Sequence, residues 1–332
     1  MNKITWGQFA ALMLINDVFA MFCLTGGISL WTAAGFAAGI ILQFILALPL
    51  IRIYGRGKNI EDCGKIAETA ALIGIVLWGG LLFSMLWSTG DIISVPFEKL
   101  GKWGRLIMAA AIGGVCVYLS SSGIKAIARS GAIAAAVGAL CLTAVSVSAV
   151  IDSDMKNLTI QPQDGFFNET VKGVAIGGGM NALTVLLGYT KGKTVRTATI
   201  YIICRLIVTA LIITVGVLVS GGIMDITDFP IVTAAQLTQP FSSQRIDSLF
   251  LIVFTVFAVY STAVQGAAAD YLLDCVYPKF KKYRCTAMLA AMALVGLMFQ
   301  GKTHYGIPFA VLGTAVPVIA AICWRIRKAV RS

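Results

Sequence analysis

The chain of 332 residues is 58% apolar and 12% charged, with a mean hydropathy of +0.87. Soluble domains run nearer roughly 45–50% apolar and about 25% charged, so 26 basic and 15 acidic side chains cannot coat a water-soluble globule of this length. A secreted disulfide scaffold, a disordered tail and a classical soluble enzyme are excluded, and the net charge of +11 lies in short runs between apolar segments, as membrane-flanking anchors and not as a nucleic-acid-binding stripe.

A hydrocarbon core about 30 Å thick is crossed by about 20 apolar residues in helix. Ten segments qualify in chain order: 6–25, 29–51, 68–90, 103–121, 128–150, 171–190, 197–221, 246–275, 285–300 and 306–324. The ninth is the shortest, and the eighth is long enough to tilt or to project beyond the bilayer. Two connections are longer than linkage requires. Residues 151–170 carry four acids and one lysine, and residues 222–245 carry two prolines and an apolar patch too short to cross. The second is expected to form an outer helix or lid packed on the bundle.

With the N-terminus inside, the inner loops hold Lys3, the 52–65 group, Lys125 and Arg129, the 191–196 group, the 279–284 group and the 325–331 group, eighteen cations in all. The outer loops hold seven: Lys99, Lys102, Arg105, Lys156, Lys172, Arg245 and Lys302. Positive charge concentrates on the cytoplasmic side, so both termini are expected there. No cleavable signal peptide is expected, since a single Lys3 precedes the first apolar run and no small-residue cleavage site follows it.

Five spans precede the 151–170 loop and five follow it, so the chain reads as one integral membrane domain, 1–332, with halves 1–150 and 151–332. An odd-numbered repeat must be inverted, which is the plan of LeuT-like transporters. The sixth span contains Gly177, Gly178 and Gly179 in succession. Each glycine costs roughly 1 kcal/mol against alanine inside a helix, and freed backbone groups survive in a membrane only against a cavity or other protein. A break in the sixth span is therefore expected, with close packing through small residues as the alternative. The first span should break too. It lacks glycine and proline, but Asn16 and Asp17 at mid-span can bond local backbone and support an unwound stretch.

An intramembrane carboxylate is costly and is read as functional by default. Asp17 would serve as cation ligand, proton carrier or amine partner, or else stand protonated against a neighbouring helix. Small polar residues on the third, sixth and eighth spans complete a candidate midplane pocket: Ser84, Asn181, Thr184, Ser261 and Thr262, beside Asn16, Asp17 and the three glycines. Arg205 lies about eight residues, roughly 12 Å, from the inner end of the seventh span. Asp270 lies at similar depth in the eighth, which allows a structural ion pair, with Asp274 as the competing partner.

There is no phosphate-binding loop, zinc-protease motif, nucleophile elbow or glycine-rich dinucleotide turn, so no catalytic residue and no cofactor are expected. The eight cysteines form no CxxC pair and read as packing residues, and with a single histidine, His304, no histidine metal site is expected.

Three stretches carry a family resemblance. They are KITWGQFAALML at 3–14, with Ile4, Thr5 and Gln8; GIKAIARSGAI at 123–133, with Ala128 and Arg129; and 229–263, with Phe229, Pro230, Gln244, Arg245, Asp247 and Phe257. In order and spacing they resemble the B subunit of GerA-type spore germination receptors, within the amino acid/polyamine/organocation transporter superfamily. The resemblance implies a membrane receptor subunit that binds a germinant, often an amino acid, in a transporter-like pocket. It also implies A and C subunits as partners and a place in the cell membrane or spore inner membrane. Transporters of that superfamily often carry Gly-Phe-Glu in the broken helix. Here the triplet is Gly179-Met180-Asn181, without the acid. The alternative is an ion-coupled amino-acid permease.

Overall fold

The computed structural model describes residues 3–89, 101–151, 153, 155–159, 165–191, 193–221, 229–237, 247–279, 283–299 and 307–331. Thr5 opens the first helix, α1 (Trp6–Phe22), by a capping box: its Oγ1 accepts from the Gln8 amide and the Gln8 Oε1 accepts from the Thr5 amide. The remaining helices follow in order: α2 (Leu30–Tyr54), α3 (Ile60–Cys63), α4 (Lys65–Ser88), α5 (Gly101–Ser121) and α6 (Ile124–Ile151). Then come α7 (Phe166–Ile176), α8 (Met180–Leu186), α9 (Thr194–Ser220), α10 (Pro230–Leu237), α11 (Asp247–Val276), α12 (Arg284–Met298) and α13 (Ile307–Arg331). Among the described residues there is no strand, only a parallel bridge between Ile4 and Thr190.

Seven helical stretches are long and apolar enough to cross a membrane, with α7 and α8 counted as one span, Phe166–Tyr189. Three shorter apolar helices, α1, the 109–121 part of α5, and α12, complete the ten predicted positions. The long connection after the seventh span does hold a short helix: α10 buries Ile231, Val232, Ala234 and Ala235 against α9, α11 and α1. The rest of that connection, with Gln244 and Arg245, lies outside the described residues.

The sixth span is the axis of the molecule. Its apolar window is 83% buried, against 17% for α6. It crosses α2 at contact distance because both sides give up side chains there. A Cβ on Gly39 would meet the backbone of Thr170 and Gly173, and one on Gly173 would meet the backbone of Phe36, each under 3.0 Å. On the far side α1 packs between α9, α11 and α6. Its seam with α11 is aromatic: Phe22 meets Phe250 edge-on at 4.9 Å and Phe19 meets Phe254 at 5.3 Å. Outside this core, Ile133, Leu140, Tyr118 and Ile66 are left exposed, the inverse of a water-soluble surface and what lipid requires.

The expected break in the sixth span is present and small. α7 stops at Ile176, Gly177–Gly179 form a single 3₁₀ turn, and α8 restarts at Met180. The expected unwinding of α1 is absent. α1 runs unbroken through Asn16 and Asp17, because their side chains turn to neighbouring helices and leave the local backbone to its own ladder.

Candidate functional site

Side chains from α1, α2, α4 and α9 converge on the 3₁₀ turn, and each glycine admits a different neighbour. A Cβ on Gly177 would overlap the Gln43 amide and the Arg205 guanidinium. One on Gly178 would overlap the Trp78 ring, and one on Gly179 the Asn16 amide, with Asp17 Oδ1 beyond it. The triplet is thus required by close approach on three sides, whatever its cost in helix propensity.

Two polar arms meet at this turn. In the first, Asp17 Oδ2 accepts from the Tyr201 hydroxyl at 2.5 Å and pairs with Arg205 Nε at 3.3 Å. Arg205 Nη1 donates to Gln43 Oε1 at 2.9 Å, and Gln43 Nε2 donates to the carbonyls of Val174 at 2.8 Å and Gly177 at 3.2 Å. Arg205 therefore stands between a carboxylate and the carbonyl end of α7, both negative, which offsets its loss of water. In the second arm, Asn16 Oδ1 accepts from Gln265 Nε2 at 3.1 Å and from Trp78 Nε1 at 3.5 Å. Asp17, Arg205, Asn16 and Gln265 are each 2% exposed or less.

The expected Arg205–Asp270 pair does not form. α1 packs against both α9 and α11, so the arginine on α9 meets Asp17 of α1 first. Asp270 instead faces Arg284 at 3.4 Å, and Asp274 bonds the same arginine. Depth along a helix was readable from the sequence, but the helix lying between was not.

The other expected site residues are all buried, and Ser261, Asn181 and Thr184 each donate to a backbone carbonyl. Ser261 Oγ donates to the Ile15 carbonyl at 3.4 Å. Asn181 Nδ2 donates to the Gly74 carbonyl at 3.3 Å, and Thr184 Oγ1 to the Asn181 carbonyl at 2.5 Å. The Thr184 carbonyl in turn accepts from Tyr54 at 2.5 Å. Thr262 is buried on α11. Ser84 is buried on α4, where its backbone lies against Gly296 of α12 and no described contact joins it to Asn16 or Asp17. Among the described residues, Asn181 Oδ1, Gln265 Oε1 and the second carboxylate oxygen of Asp17, Oδ1, are buried acceptors that take no hydrogen bond.

Gln43, Trp78 and Tyr201 were not anticipated. Gln43 had a signal, as an amide deep in an apolar span. Tyr201 had one too, four residues before Arg205 and so on the same helix face. Trp78 had none, since an indole inside a membrane span is ordinary.

Solved structures share the overall fold. Mhp1 in its inward-facing conformation superposes with a TM-score of 0.67 at 16% identity, over 96% of this chain and 76% of that one. Mhp1, described as a nucleobase-cation-symport-1 family transporter, in a closed conformation with bromovinylhydantoin bound, gives 0.62 at 16% identity, over 96% and 75%. MhsT in complex with L-phenylalanine gives 0.59 at 15% identity, over 98% and 89%. The fold is that of LeuT-like transporters, ten helices in two inverted sets of five with the sixth broken. No protein-family model matches the sequence. No curated protein matches it either.

Proposed function

We propose that the chain is a transporter-like receptor subunit that binds a small nutrient, of the amino acid class, at the turn between α7 and α8. In this reading residues 1–332 form one membrane domain with inverted halves 1–150 and 151–332, and both termini are cytoplasmic. It sits in the cell membrane or spore inner membrane and signals through A and C partner subunits. The family resemblance supplies the germinant and the partners, and the likeness of fold supports a transporter-like binding site at the turn.

The observation that carries the receptor reading is the state of Asp17. Its carboxylate is buried, already compensated by Arg205 and bonded by Tyr201. A carboxylate held this way is a poor proton carrier and a poor sodium ligand, because either role requires breaking a buried pair. The free acceptors Asn181 Oδ1 and Gln265 Oε1 suit an incoming ammonium group.

The test is an amino-acid panel on the full-length protein, reading thermal stabilisation and proteoliposome uptake together. Saturable stabilisation without accumulation is expected. Accumulation driven by a proton or sodium gradient overturns the receptor reading in favour of the permease. The likeness to Mhp1 and MhsT favours that second reading, under which Asp17→Asn abolishes uptake in a folded protein.

A further inference from the structure

At the end of the bundle where α2 passes into α4, a cavity of about 250 Å³ is lined by Lys58, Asp62, Trp324, Arg327 and Lys328. Three cations face one carboxylate. At about 30 Å³ per water, the space exceeds what a phosphate group needs. We propose that this cavity binds the phosphate of an anionic phospholipid headgroup.

Four observations carry the inference. First, each cation has a defined neighbour. Lys328 lies over the Trp324 ring at 5.6 Å, Lys58 pairs with Asp62 at 3.7 Å, and Arg327 is anchored through Nη1 to the carbonyls of Glu61 and Asp62 at 3.2 Å each. A guanidinium has five N–H donors, and those on Nη1 alone make these two bonds. Second, the charge is available, because Lys58 is half exposed and its partner Asp62 is 40% exposed, so the pair is loosely held. Third, the height is that of the membrane interface. Ile322 and Ile326 of α13 remain exposed at 50% and 59%, interleaved in sequence with Trp324 and Arg327. Ile66, beside Lys65 at the start of α4, is 74% exposed. Apolar side chains still face hydrocarbon where the cations begin, and a tryptophan at that level is an interfacial anchor. Fourth, the cavity bridges elements distant in sequence. Arg327 of α13 caps the carbonyl end of α3, and Glu61 of α3 accepts from Tyr271 of α11. A phosphate among Lys58, Arg327 and Lys328 therefore ties α3 to α13 and steadies this end of the bundle. A basic pocket between helices at the cytoplasmic face suits a lipid phosphate. The inference is independent of what the midplane site takes.

The test titrates phosphatidylglycerol into the detergent-solubilised full-length protein and follows the midpoint of thermal unfolding, with phosphatidylcholine and inorganic phosphate as separate arms. Phosphatidylglycerol is expected to raise the midpoint saturably and the other two are not. In K58Q/K328Q the half-saturating concentration should rise roughly thirtyfold, from the attraction each cation contributes near an anionic lipid. K125Q/R129Q, which removes two cations from another loop, should leave it unchanged, and K58R/K328R should retain the wild-type response. Equal losses in K58Q/K328Q and K125Q/R129Q would reduce the effect to bulk charge and overturn the site. Inorganic phosphate reproducing the shift would move its source from the bilayer to solution, and an absent shift would reject it outright.

Discussion

Gly178 lies closer to the Trp78 ring than any side chain could stand. Gly178→Ala forces either the indole or the 3₁₀ turn to move, a cost of about 1–3 kcal/mol for overpacking. Gly114→Ala has open space around its Cβ and should be neutral or stabilising by up to about 1 kcal/mol. Thermal unfolding of the two variants side by side checks this, and equal tolerance would mean the triplet is not held by close approach. The Asp17–Arg205 pair gives a second expectation. Asp17→Asn and Arg205→Gln should each cost about 3–5 kcal/mol by stranding a buried charge. The double variant should cost less than their sum by more than about 1 kcal/mol in a double-mutant cycle. Simple additivity would show that the two do not act as a pair. Asp17, Asn16 and the glycines could be picked out from the sequence because a carboxylate and three glycines are expensive inside a membrane whatever surrounds them. The partner of Arg205 could not, because an ion pair depends on which helix lies between two others, and hydropathy carries no such information.

At the scale of the elements, the spans were readable because apolar length is a local property, and most helix ends fall within about a turn of the expected bounds. Two features were not. The four-residue α3 is too short to leave a periodic signal. It stands as a separate helix because Gly64 turns the chain at φ 98°, a left-handed conformation suited to glycine. The continuity of α1 was also missed, since asparagine and aspartate act on local backbone only when nothing better is within reach. The N-terminal segment offers an expectation of its own. Ile4 donates to the Tyr189 carbonyl at 2.8 Å and its carbonyl accepts from the Lys191 amide at 2.9 Å. The segment before α1 is thereby stitched to the chain leaving the sixth span. Ile4→Pro deletes the first bond. Hydrogen exchange at Lys191 should quicken while the middle of α1 keeps its protection. Unchanged exchange at Lys191 would show that the stitch does not hold the segment.

Over the whole molecule, ten spans with an inverted fold followed from counting, because each crossing reverses the side on which the next loop emerges. What counting left open is how polar a membrane core can be. Here Asp17 and Arg205 face each other at 3.3 Å among side chains shut off from solvent, so the pair carries no net charge. A potential of 100 mV exerts about 2.3 kcal/mol on one uncompensated charge crossing the bilayer. It exerts almost nothing on a compact, neutral pair, or on a zwitterion seated beside it. Under the proposed function, occupancy of such a site follows solute concentration alone, the same in an energised membrane as in one whose voltage has collapsed.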